Sequence, residues 1–356
     1  MNLNLNTKQL LEQAVDASAS DIFIVAGLPV SMRHNGQIVR EDGPILKPDD
    51  TSAVIEQIYQ LAGHRDLSTL EQHGDDDFSF AVPGLSRFRV SAYKQRGSLS
   101  AVIRIISFTL PDYKALGIPE NVIDFANLSK GMVLVTGPAG IGKSTTLACM
   151  INHINQNYQK HIITLEDPLE FLHRHNKSIV SQREINVDTE SYVTALRASL
   201  RQSPDVILLG EMRDYETMQV AMTAAETGHL IFSTLHTIGA ANTIDRIIDV
   251  FPPNQQQQIA VQLSMVLQAV ISQQLVPTVD GDMTPAFEIM TVTPAIRNMI
   301  RDNKIPQIDG LIYSSASQEL ISMDASLLKL YQAGRITQET ALTYASNADM
   351  LKRRLK

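Results

Sequence analysis

GMVLVTGPAGIGKSTT, residues 131–146, is the stretch of this 356-residue chain that decides its fold. The apolar residues 132–135 predict a short buried strand, and the residues from Lys143 onward predict a helix. Between them lies G-x-x-x-x-G-K-S/T, in the strand-before and helix-after context that this phosphate-binding pattern requires. Glycines let successive backbone N–H groups approach a phosphate, and the helix N-terminus adds unpaired donors and a positive dipole end. The alternative is a glycine-rich turn with a surface lysine.

Each position of this loop has a predicted contact with a nucleotide. Lys143 supplies a point charge to the β and γ phosphates, and Ser144 supplies a hydroxyl ligand to Mg²⁺. By itself the loop does not choose between ATP and GTP, or between a kinase, a GTPase and a motor. The predicted nucleotide contacts in the loop are Gly137, Pro138, Ala139, Gly140, Ile141, Gly142, Lys143, Ser144 and Thr145.

The length of 356 residues predicts about two domains, and the composition is that of a globular protein. Hydrophobic residues are 44% and charged residues 19%, which are ordinary proportions for a chain with a substantial core. The net charge of −8 disfavours a protein that coats DNA. The single cysteine, Cys149, excludes an intrachain disulfide and a four-cysteine zinc site. With no long apolar run and no signal peptide, we expect a cytoplasmic protein that reaches a membrane only through partners.

Residues 1–106 predict a small α+β domain. Helices are predicted at 1–20 and 51–61, with Thr51 as the possible N-cap of the second. Strands are predicted at 21–27, 77–82, 86–93 and 99–106, with a hairpin over 31–41 that turns at Asn35-Gly36. Within 86–93, apolar side chains alternate with arginine and serine, which predicts one apolar and one basic face of the sheet.

After residues 107–120, which carry two prolines and a glycine and predict a linker, the pattern changes. Short apolar strands now alternate with helices, which is typical of a parallel α/β sheet. The strands are predicted at 132–135, 161–166, 205–210 and 230–235, and the helices at 146–155, 192–201 and 217–226. Since ligands of such sheets bind at the carboxyl ends of the strands, the residues just past each strand should carry the chemistry.

Polar residues do follow these strands. Glu211 is predicted to hold a Mg²⁺-bound water or to accept a proton from the attacking water. Glu166, paired with Asp167, is predicted to orient water or Mg²⁺, and His236 to sense the γ-phosphate. We therefore assign Glu211, Glu166 and His236 as catalytic, and Ser144 with Glu211 as metal residues. The alternatives are a surface acid at the start of a helix and a simple turn before Pro168.

Phosphoryl transfer also needs cations that neutralise charge in the transition state. Besides Lys143, we predict nucleotide contacts for Arg89, Arg104 and Arg201. The first two lie in the N-terminal domain, so they would act across a domain or subunit interface. The alternative is that these arginines are solvated on an exposed face.

At these residues the chain resembles the retraction ATPases of type IV pili, the PilT family, within the wider group of secretion and pilus motor ATPases. The resemblance covers nearly the whole chain. The segments that carry it are 137–146 as Walker A, 163–173 as the "Asp box", 203–214 as Walker B, 225–237 as the "His box", and the family-like stretches 245–259, 295–308 and 323–345.

The resemblance implies a fold, an activity and partners. The implied segments are a PAS-like domain at 1–106, a linker at 107–120, a RecA-like P-loop ATPase core at 121–290 and a helical C-terminal region at 291–356. Subunits of the family form a hexameric ring, with ATP and Mg²⁺ held between neighbours. ATP hydrolysis then drives pilus retraction and twitching motility, with a platform protein at the inner face of the cell membrane as partner and nucleic acid as no expected partner.

Some positions depart from the family pattern. The loop has Ala139 and Ile141 where the family usually carries threonine and serine, and Ile141 is a stiff β-branched residue. Phe23 replaces a histidine, and residues 277–284 lack the expected basic residues. Ile141 favours an alternative function, that of an accessory nucleotide-binding paralogue with weak or no hydrolysis. A DNA-translocating ATPase is a third possibility, which the acidic balance of the chain disfavours.

A further helix is predicted after residue 293. Thr293 and Pro294 suit its N-cap and first position. Arg297, Arg301 and Lys304 follow at spacings that place them on one face. This basic face is predicted either to couple the ring to the pilus machinery or simply to be solvated.

Overall fold

The structure, a computed structural model, describes residues 6–34, 36–106, 108, 110–315 and 317–355. The chain divides into two compact units, Met1–Thr109 and Leu110–Lys356. This division falls inside the segment expected to be a linker, while the bounds of the four expected segments stay a prediction. None of the helices in the described ranges combines the length and the apolar character that a membrane span requires.

The first unit is an antiparallel sheet covered on one face by helices. Its strands pair in the order β3-β2-β1-β6-β5-β4. Leu11, Ile55 and Phe88, from two helices and a strand, lie in one buried cluster. The elements are α1 (Thr7–Asp16), β1 (Asp21–Ile24), β2 (Ser31–His34), β3 (Gln37–Arg40), α2 (Pro48–Leu61), α3 (Ser68–His73), β4 (Asp75–Val82), β5 (Ser86–Gln95) and β6 (Ser98–Ile106).

Strand β5 has the two faces that its alternation predicts. Phe88 and Val90 are fully buried, whereas Arg89 between them is exposed. Arg89 lies opposite Arg104 of β6 in the antiparallel register. The prediction of one apolar and one basic face is therefore confirmed.

Two local predictions in this unit are wrong, and one lies outside the described residues. Helix α2 begins at Pro48, because Asp50 accepts a hydrogen bond from the backbone N–H of Lys47 at 2.8 Å, so Thr51 is not its N-cap. Strand β1 ends at Ile24, three residues earlier than predicted. Strands β2 and β3 pair as a hairpin, but its turn residue Asn35 is not among the described residues.

The second unit is a largely parallel sheet between helices. Its strands pair in the order β14-β13-β12-β7-β11-β10-β8-β9. The elements are α4 (Glu120–Ile123), a 3-10 helix (Asp124–Asn127), β7 (Gly131–Thr136), α5 (Lys143–Asn157), β8 (His161–Glu166), β9 (Ile179–Glu184), α6 (Tyr192–Ser199), β10 (Val206–Leu209), α7 (Tyr215–Glu226), β11 (Leu230–Leu235), α8 (Ala240–Asp249), α9 (Pro253–Val266), β12 (Leu267–Pro277), β13 (Met283–Thr291), α10 (Pro294–Arg301), α11 (Pro306–Ser314), β14 (Leu320–Ile321), α12 (Met323–Gln332), α13 (Gln338–Thr343) and α14 (Ala348–Arg354).

Both faces of this sheet are covered. Leu134 of β7 packs in a cluster with residues of α6 to α11, while its neighbours Val133 and Val135 pack in a second cluster with α5. All residues of β7, β10 and β11 are buried, as expected for parallel strands between two helical layers. Strands β7, β8, β10 and β11 run parallel to their neighbours, so their carboxyl ends meet at one edge.

The predicted parallel core is confirmed, but several of its strands had no sequence prediction. Strands β8 and β11 have the predicted bounds. Strands β9, β12, β13 and β14 were missed. Leu267 is both the C-cap of α9 and the first residue of β12, so no turn residue marks where that strand begins. Strand β14 also lies within the C-terminal region that was expected to be helical.

Candidate active site

The phosphate loop connects β7 to α5 through glycines with positive φ. Gly137 has φ 135° and Gly142 has φ 85°. A Cβ atom on Gly137 would lie 2.4 Å from the backbone oxygen of Gln273 and 2.4 Å from Cδ1 of Ile141. A side chain at position 137 does not fit, because real Cβ atoms do not make such short contacts. The backbone of β12 therefore lies so close to the loop that only glycine is accommodated.

Lys143 is held inside this loop. Its Nζ donates hydrogen bonds to the carbonyl oxygens of Gly137 and Pro138, both at 2.8 Å. Burial lowers the pKa of the ammonium group, although the charges of Glu211 and Glu170 oppose that shift. The lysine is thus fixed at the loop, within the electrostatic reach of a carboxylate at the end of another strand.

A cavity of about 400 Å³ lies over the loop and brings together the ends of four strands. It contains Glu166 at the end of β8, Glu211 after β10 and His236 after β11, which is the convergence that the strand-end rule predicts. The predicted site residues that line it are Ala139, Gly140, Gly142, Lys143, Ser144, Thr145, Glu166, Glu211 and His236. Gly137, Pro138 and Ile141 belong to the loop but do not line this cavity. The roles of these residues remain predictions.

Glu211 is held as a carboxylate. Its Oε1 accepts a hydrogen bond from Nη2 of Arg213, and its Oε2 lies 3.3 Å from Nε2 of His236. Burial opposes ionisation of Glu211, but the hydrogen bonds and charges of Arg213 and His236 outweigh it and lower its pKa. An ionised carboxylate with fixed orientation suits the coordination of a metal-bound water.

The pKa of Glu166 is shifted in the opposite direction to that of Glu211. Burial raises its pKa to about 7, against a hydrogen bond that Nε2 of Gln182 donates to its Oε1 at 3.3 Å. A carboxyl group with a pKa near neutrality can take up and release a proton under working conditions. Two carboxyl groups in one cavity, with pKa values moved apart by their surroundings, are suited to different roles.

The raised pKa of Glu166 has a consequence for stability. The folded state binds a proton more tightly than the unfolded state, so wild type loses stability from about pH 4.5 to about pH 7. Glu166→Gln removes this loss, which amounts to at most about 3 kcal/mol. We therefore expect the free energy of unfolding in urea to rise for the variant relative to wild type as the pH increases to about 7. Above that pH the difference between the two should be constant. A difference that is independent of pH would contradict the shift.

Sequence reasoning missed Tyr192 and His173 at this cavity. Tyr192 is the first residue of α6, and burial together with the charges of Asp167, Glu211 and Glu166 raises the pKa of its phenol. A Cβ atom on Gly210 would lie 2.8 Å from the Tyr192 hydroxyl, so Gly210 leaves room for the ring. Burial lowers the pKa of His173 to about 4. An aromatic residue at the start of a helix carries no distinctive sequence signal.

A second cavity, of about 520 Å³, also borders the loop. Gly140, Gly142 and Thr145 line both cavities. Residues 114–118, Thr146 and Arg335 also line the second cavity, together with residues of β12, β13 and α12 that include Leu275, Met283, Pro285 and Leu330. None of these residues was predicted from the sequence, because neither β12 nor β13 was predicted.

The three additional arginines do not line either cavity. Arg201 is exposed and donates to the carbonyl oxygen of Arg197 at 3.3 Å. Arg104, in the first unit, forms an ion pair with Asp21 at 2.9 Å, and Arg89 is exposed on β5. Their contact with a nucleotide, which was expected across an interface for Arg89 and Arg104, stays a prediction.

The basic face of α10 is partly used within the chain. Thr293 and Pro294 are the N-cap and first residue of this helix, as predicted. Arg297 donates to the carbonyl oxygens of Ser264 and Met265, at 3.0 Å to the latter, near the end of α9. Arg301 is exposed, and its side chain pairs with its near neighbours Asn298 and Asp302. The prediction that Arg297 is part of a free basic face is therefore wrong.

Charge reversal should separate these two arginines. Arg297→Glu is expected to lower the free energy of unfolding by about 1–3 kcal/mol, because it leaves two carbonyl oxygens without their donor. Arg301→Glu, at an exposed position, is expected to change it by less than about 0.5 kcal/mol. Chemical denaturation of both variants and wild type provides the measurement. Equal stability of the two variants would contradict a structural role for Arg297.

The fold and the site together define a P-loop nucleotide-binding protein of the α/β class, with a RecA-like core. The chain belongs to the type II/IV secretion system protein family, whose model matches residues 3–350. Family membership therefore covers both compact units. It confirms the resemblance to secretion and pilus motor ATPases that the sequence motifs indicated.

Individual relatives agree with this assignment. The "Type IV pilus retractation ATPase PilT" of Pseudomonas aeruginosa is 43% identical over 337 residues, covering 95% of this chain and 97% of that protein. The "Type IV pilus ATPase PilU" of the same organism is 39% identical over 350 residues, covering 98% and 91%. A crystal structure described as the pilus retraction motor PilT with bound ADP matches with a TM-score of 0.89 at 44% identity, covering 98% of this chain and 100% of that one.

Proposed function

We propose that this chain is an ATPase that powers the retraction of type IV pili and thereby twitching motility. The observation that carries the proposal is the pair of acids over the phosphate loop, where Glu211 is held ionised and Glu166 has a pKa of about 7. Relatives that span the whole chain are named as pilus retraction ATPases. The acids at the phosphate loop and the names of these relatives therefore support the same function.

The residues divide the work of hydrolysis between them. The glycine loop and Lys143 bind and orient the phosphates, which makes the attack effectively intramolecular. Glu166 accepts the proton of the attacking water, since its pKa lets it do so near neutral pH. We assign the sensing of the γ-phosphate to His236, whose Nε2 lies 3.3 Å from Oε2 of Glu211.

The donor set of the cavity fits Mg²⁺. Ser144 offers a hydroxyl oxygen and Glu211 an ionised carboxylate, and hard oxygen ligands are those that Mg²⁺ takes in nucleotide sites. Mg²⁺, when bound there, neutralises charge on the phosphates. Ser144 and Glu211 would hold it, in the latter case through water.

The second cavity is where we place the nucleotide base. It shares the loop residues Gly140, Gly142 and Thr145 with the phosphate cavity and therefore borders the site that we propose for the phosphates. Leu275, Met283 and other apolar side chains suit the faces of a planar ring. ATP is the ligand we propose for the combined site.

The proposed working form is a homohexameric ring on the cytoplasmic side of the cell membrane. Arg89 and Arg104 lie on the basic face of the first unit, which suits them to approach the nucleotide of a neighbouring subunit. The partners would be the pilus machinery and its inner-membrane platform protein. Nucleic acid has no place in this proposal, because the chain is acidic.

Steady-state ATP hydrolysis by the purified oligomer tests the proposal. We expect wild type to hydrolyse ATP with Mg²⁺ well above background, and Glu211→Gln to be at least about tenfold slower. The alternative function, an accessory nucleotide-binding paralogue, is favoured by Ile141 in the loop. Equal background rates for wild type and Glu211→Gln would overturn the motor and leave that alternative. In cells that lack the gene, wild type should restore pilus retraction and Glu211→Gln should not. This outcome would show that ATP hydrolysis by this chain is needed for retraction.

A further inference from the structure

Gln273 is a buried side chain of β12 that joins two parts of the phosphate loop region. Its Nε2 donates to the carbonyl oxygen of Ile141 at 2.6 Å, and its Oε1 accepts from Oγ1 of Thr146 at 2.7 Å. Gln273 is 2% exposed and Thr146 is fully buried. Since a carbonyl oxygen only accepts, the amide nitrogen must face Ile141, and the Thr146 hydroxyl then donates to the amide oxygen.

The backbone of the same residue also contacts the loop. The carbonyl oxygen of Gln273 is the atom that a Cβ on Gly137 would meet at 2.4 Å. Gln273 therefore contacts the start of the loop at Gly137, its far side at Ile141 and the first turns of α5 at Thr146. Gln273 is more than 120 positions from each of these three residues in the sequence. The pairing of β12 with β7 brings it next to the phosphate loop.

The bond to Ile141 sets the direction of a backbone donor. In a trans peptide the carbonyl of one residue and the N–H of the next point in opposite directions in one plane. A carbonyl oxygen of Ile141 that faces Gln273 therefore turns the N–H of Gly142 away from β12. A phosphate-binding loop requires backbone N–H groups with fixed directions, and this hydrogen bond fixes the direction of one of them.

We propose that Gln273 is a positioning residue for the nucleotide, which acts by fixing the Ile141–Gly142 peptide. Thr146 in turn orients the glutamine amide. The inference rests on the proposed function in that the bound anion is the phosphate of ATP or ADP. Isoleucine at position 141 is compatible with this role, because the hydrogen bond from Gln273 uses the backbone carbonyl of Ile141. The side-chain Cδ1 of Ile141 packs against Gly137.

Gln273→Met tests the proposal, since methionine has a similar length but no amide. We expect the Kd for ADP and the KM for ATP to rise at least about tenfold, with kcat within about threefold of wild type, as for loss of uniform binding. Gln273→Glu, once ionised, can still accept from Thr146 but cannot donate to Ile141, so at a pH that ionises the new carboxyl group it should resemble Gln273→Met. Gln274→Met is the matched control, because the Gln274 amide donates to Tyr344 at 3.4 Å, away from the loop.

Thr146→Val provides a second, independent variant. It should raise the Kd for ADP by about threefold, and combining it with Gln273→Met should add little, because both remove parts of one network. An unchanged Kd and KM in Gln273→Met, even with a lowered melting temperature, would overturn the proposal and leave only a structural role. If Gln273→Met does not fold, an unchanged Kd in Thr146→Val would have the same meaning. Wild type that neither binds ADP nor hydrolyses ATP would instead contradict the proposed function.

Discussion

Turnover of ATP by Glu166→Gln is expected to be about 10²- to 10⁴-fold slower than that of wild type. Glutamine keeps the size of the side chain and can still accept the hydrogen bond from Gln182, but it cannot take a proton from water. The affinity for ADP should stay within about twofold, because the loop and Lys143 are unchanged. Steady-state hydrolysis at saturating ATP, with an ADP titration beside it, measures both quantities.

The pH dependence of turnover makes this prediction specific. Burial raises the pKa of Glu166 to about 7, so the wild-type rate should increase with pH through that value as the carboxyl group ionises. The residual rate of the variant should lack this step. Glu216→Gln, an exposed acid in the first turn of α7, is the control and should behave as wild type. A variant rate within about threefold of wild type would exclude Glu166 as the proton acceptor.

Gly137→Ala is expected to weaken nucleotide binding by at least about 100-fold and to destabilise the fold by about 1–3 kcal/mol. Its Cβ would meet the backbone oxygen of Gln273 at 2.4 Å, and φ is 135°, so both the contact and the backbone conformation oppose a side chain. Either β12 or the loop has to move, which displaces the N–H groups that face the phosphates. ADP titration and chemical denaturation of the variant measure the two effects.

Gly228→Ala is the control for Gly137→Ala, because it introduces backbone strain without a steric clash. Gly228 also has a positive φ, 109°, but nothing lies within 4 Å of the position of a Cβ. This control should lose stability and keep the wild-type affinity for ADP. Wild-type affinity in Gly137→Ala would show that the close approach of β12 is not needed for binding.

The phosphate loop and the buried strands around it were predictable because their causes are local. The glycine spacing, Lys143 and the apolar run 132–135 act through neighbouring backbone atoms, and the structure places them in a strand, a loop and a helix. The strand-end rule then identified Glu166, Glu211 and His236 as neighbours, although they lie far apart in sequence. A parallel sheet has one carboxyl edge, so knowing the strands is enough to know which residues meet.

The second cavity and the contacts of Gln273 with the phosphate loop were not predictable, because the start of β12 has no turn residue and its apolar run is interrupted. It follows α9 without a turn, and its glutamines interrupt the apolar run. Gln273 and its neighbour Gln274 look alike in sequence, yet one contacts the phosphate loop and the other contacts Tyr344. Their opposite directions follow from the alternation of side chains along a strand, which has a meaning only once the strand is known.

Residue types and local order thus establish that this chain has a nucleotide-binding loop in an α/β core and acids at its strand ends. The properties of those acids come from packing. Desolvation by surrounding residues raises the pKa of Glu166, whereas Arg213 and His236 lower that of Glu211. Packing also directs Arg297 to the carbonyl oxygens of α9 instead of a free basic face. Burial and long-range hydrogen bonds depend on which distant segments meet, and that information exists only in the folded chain.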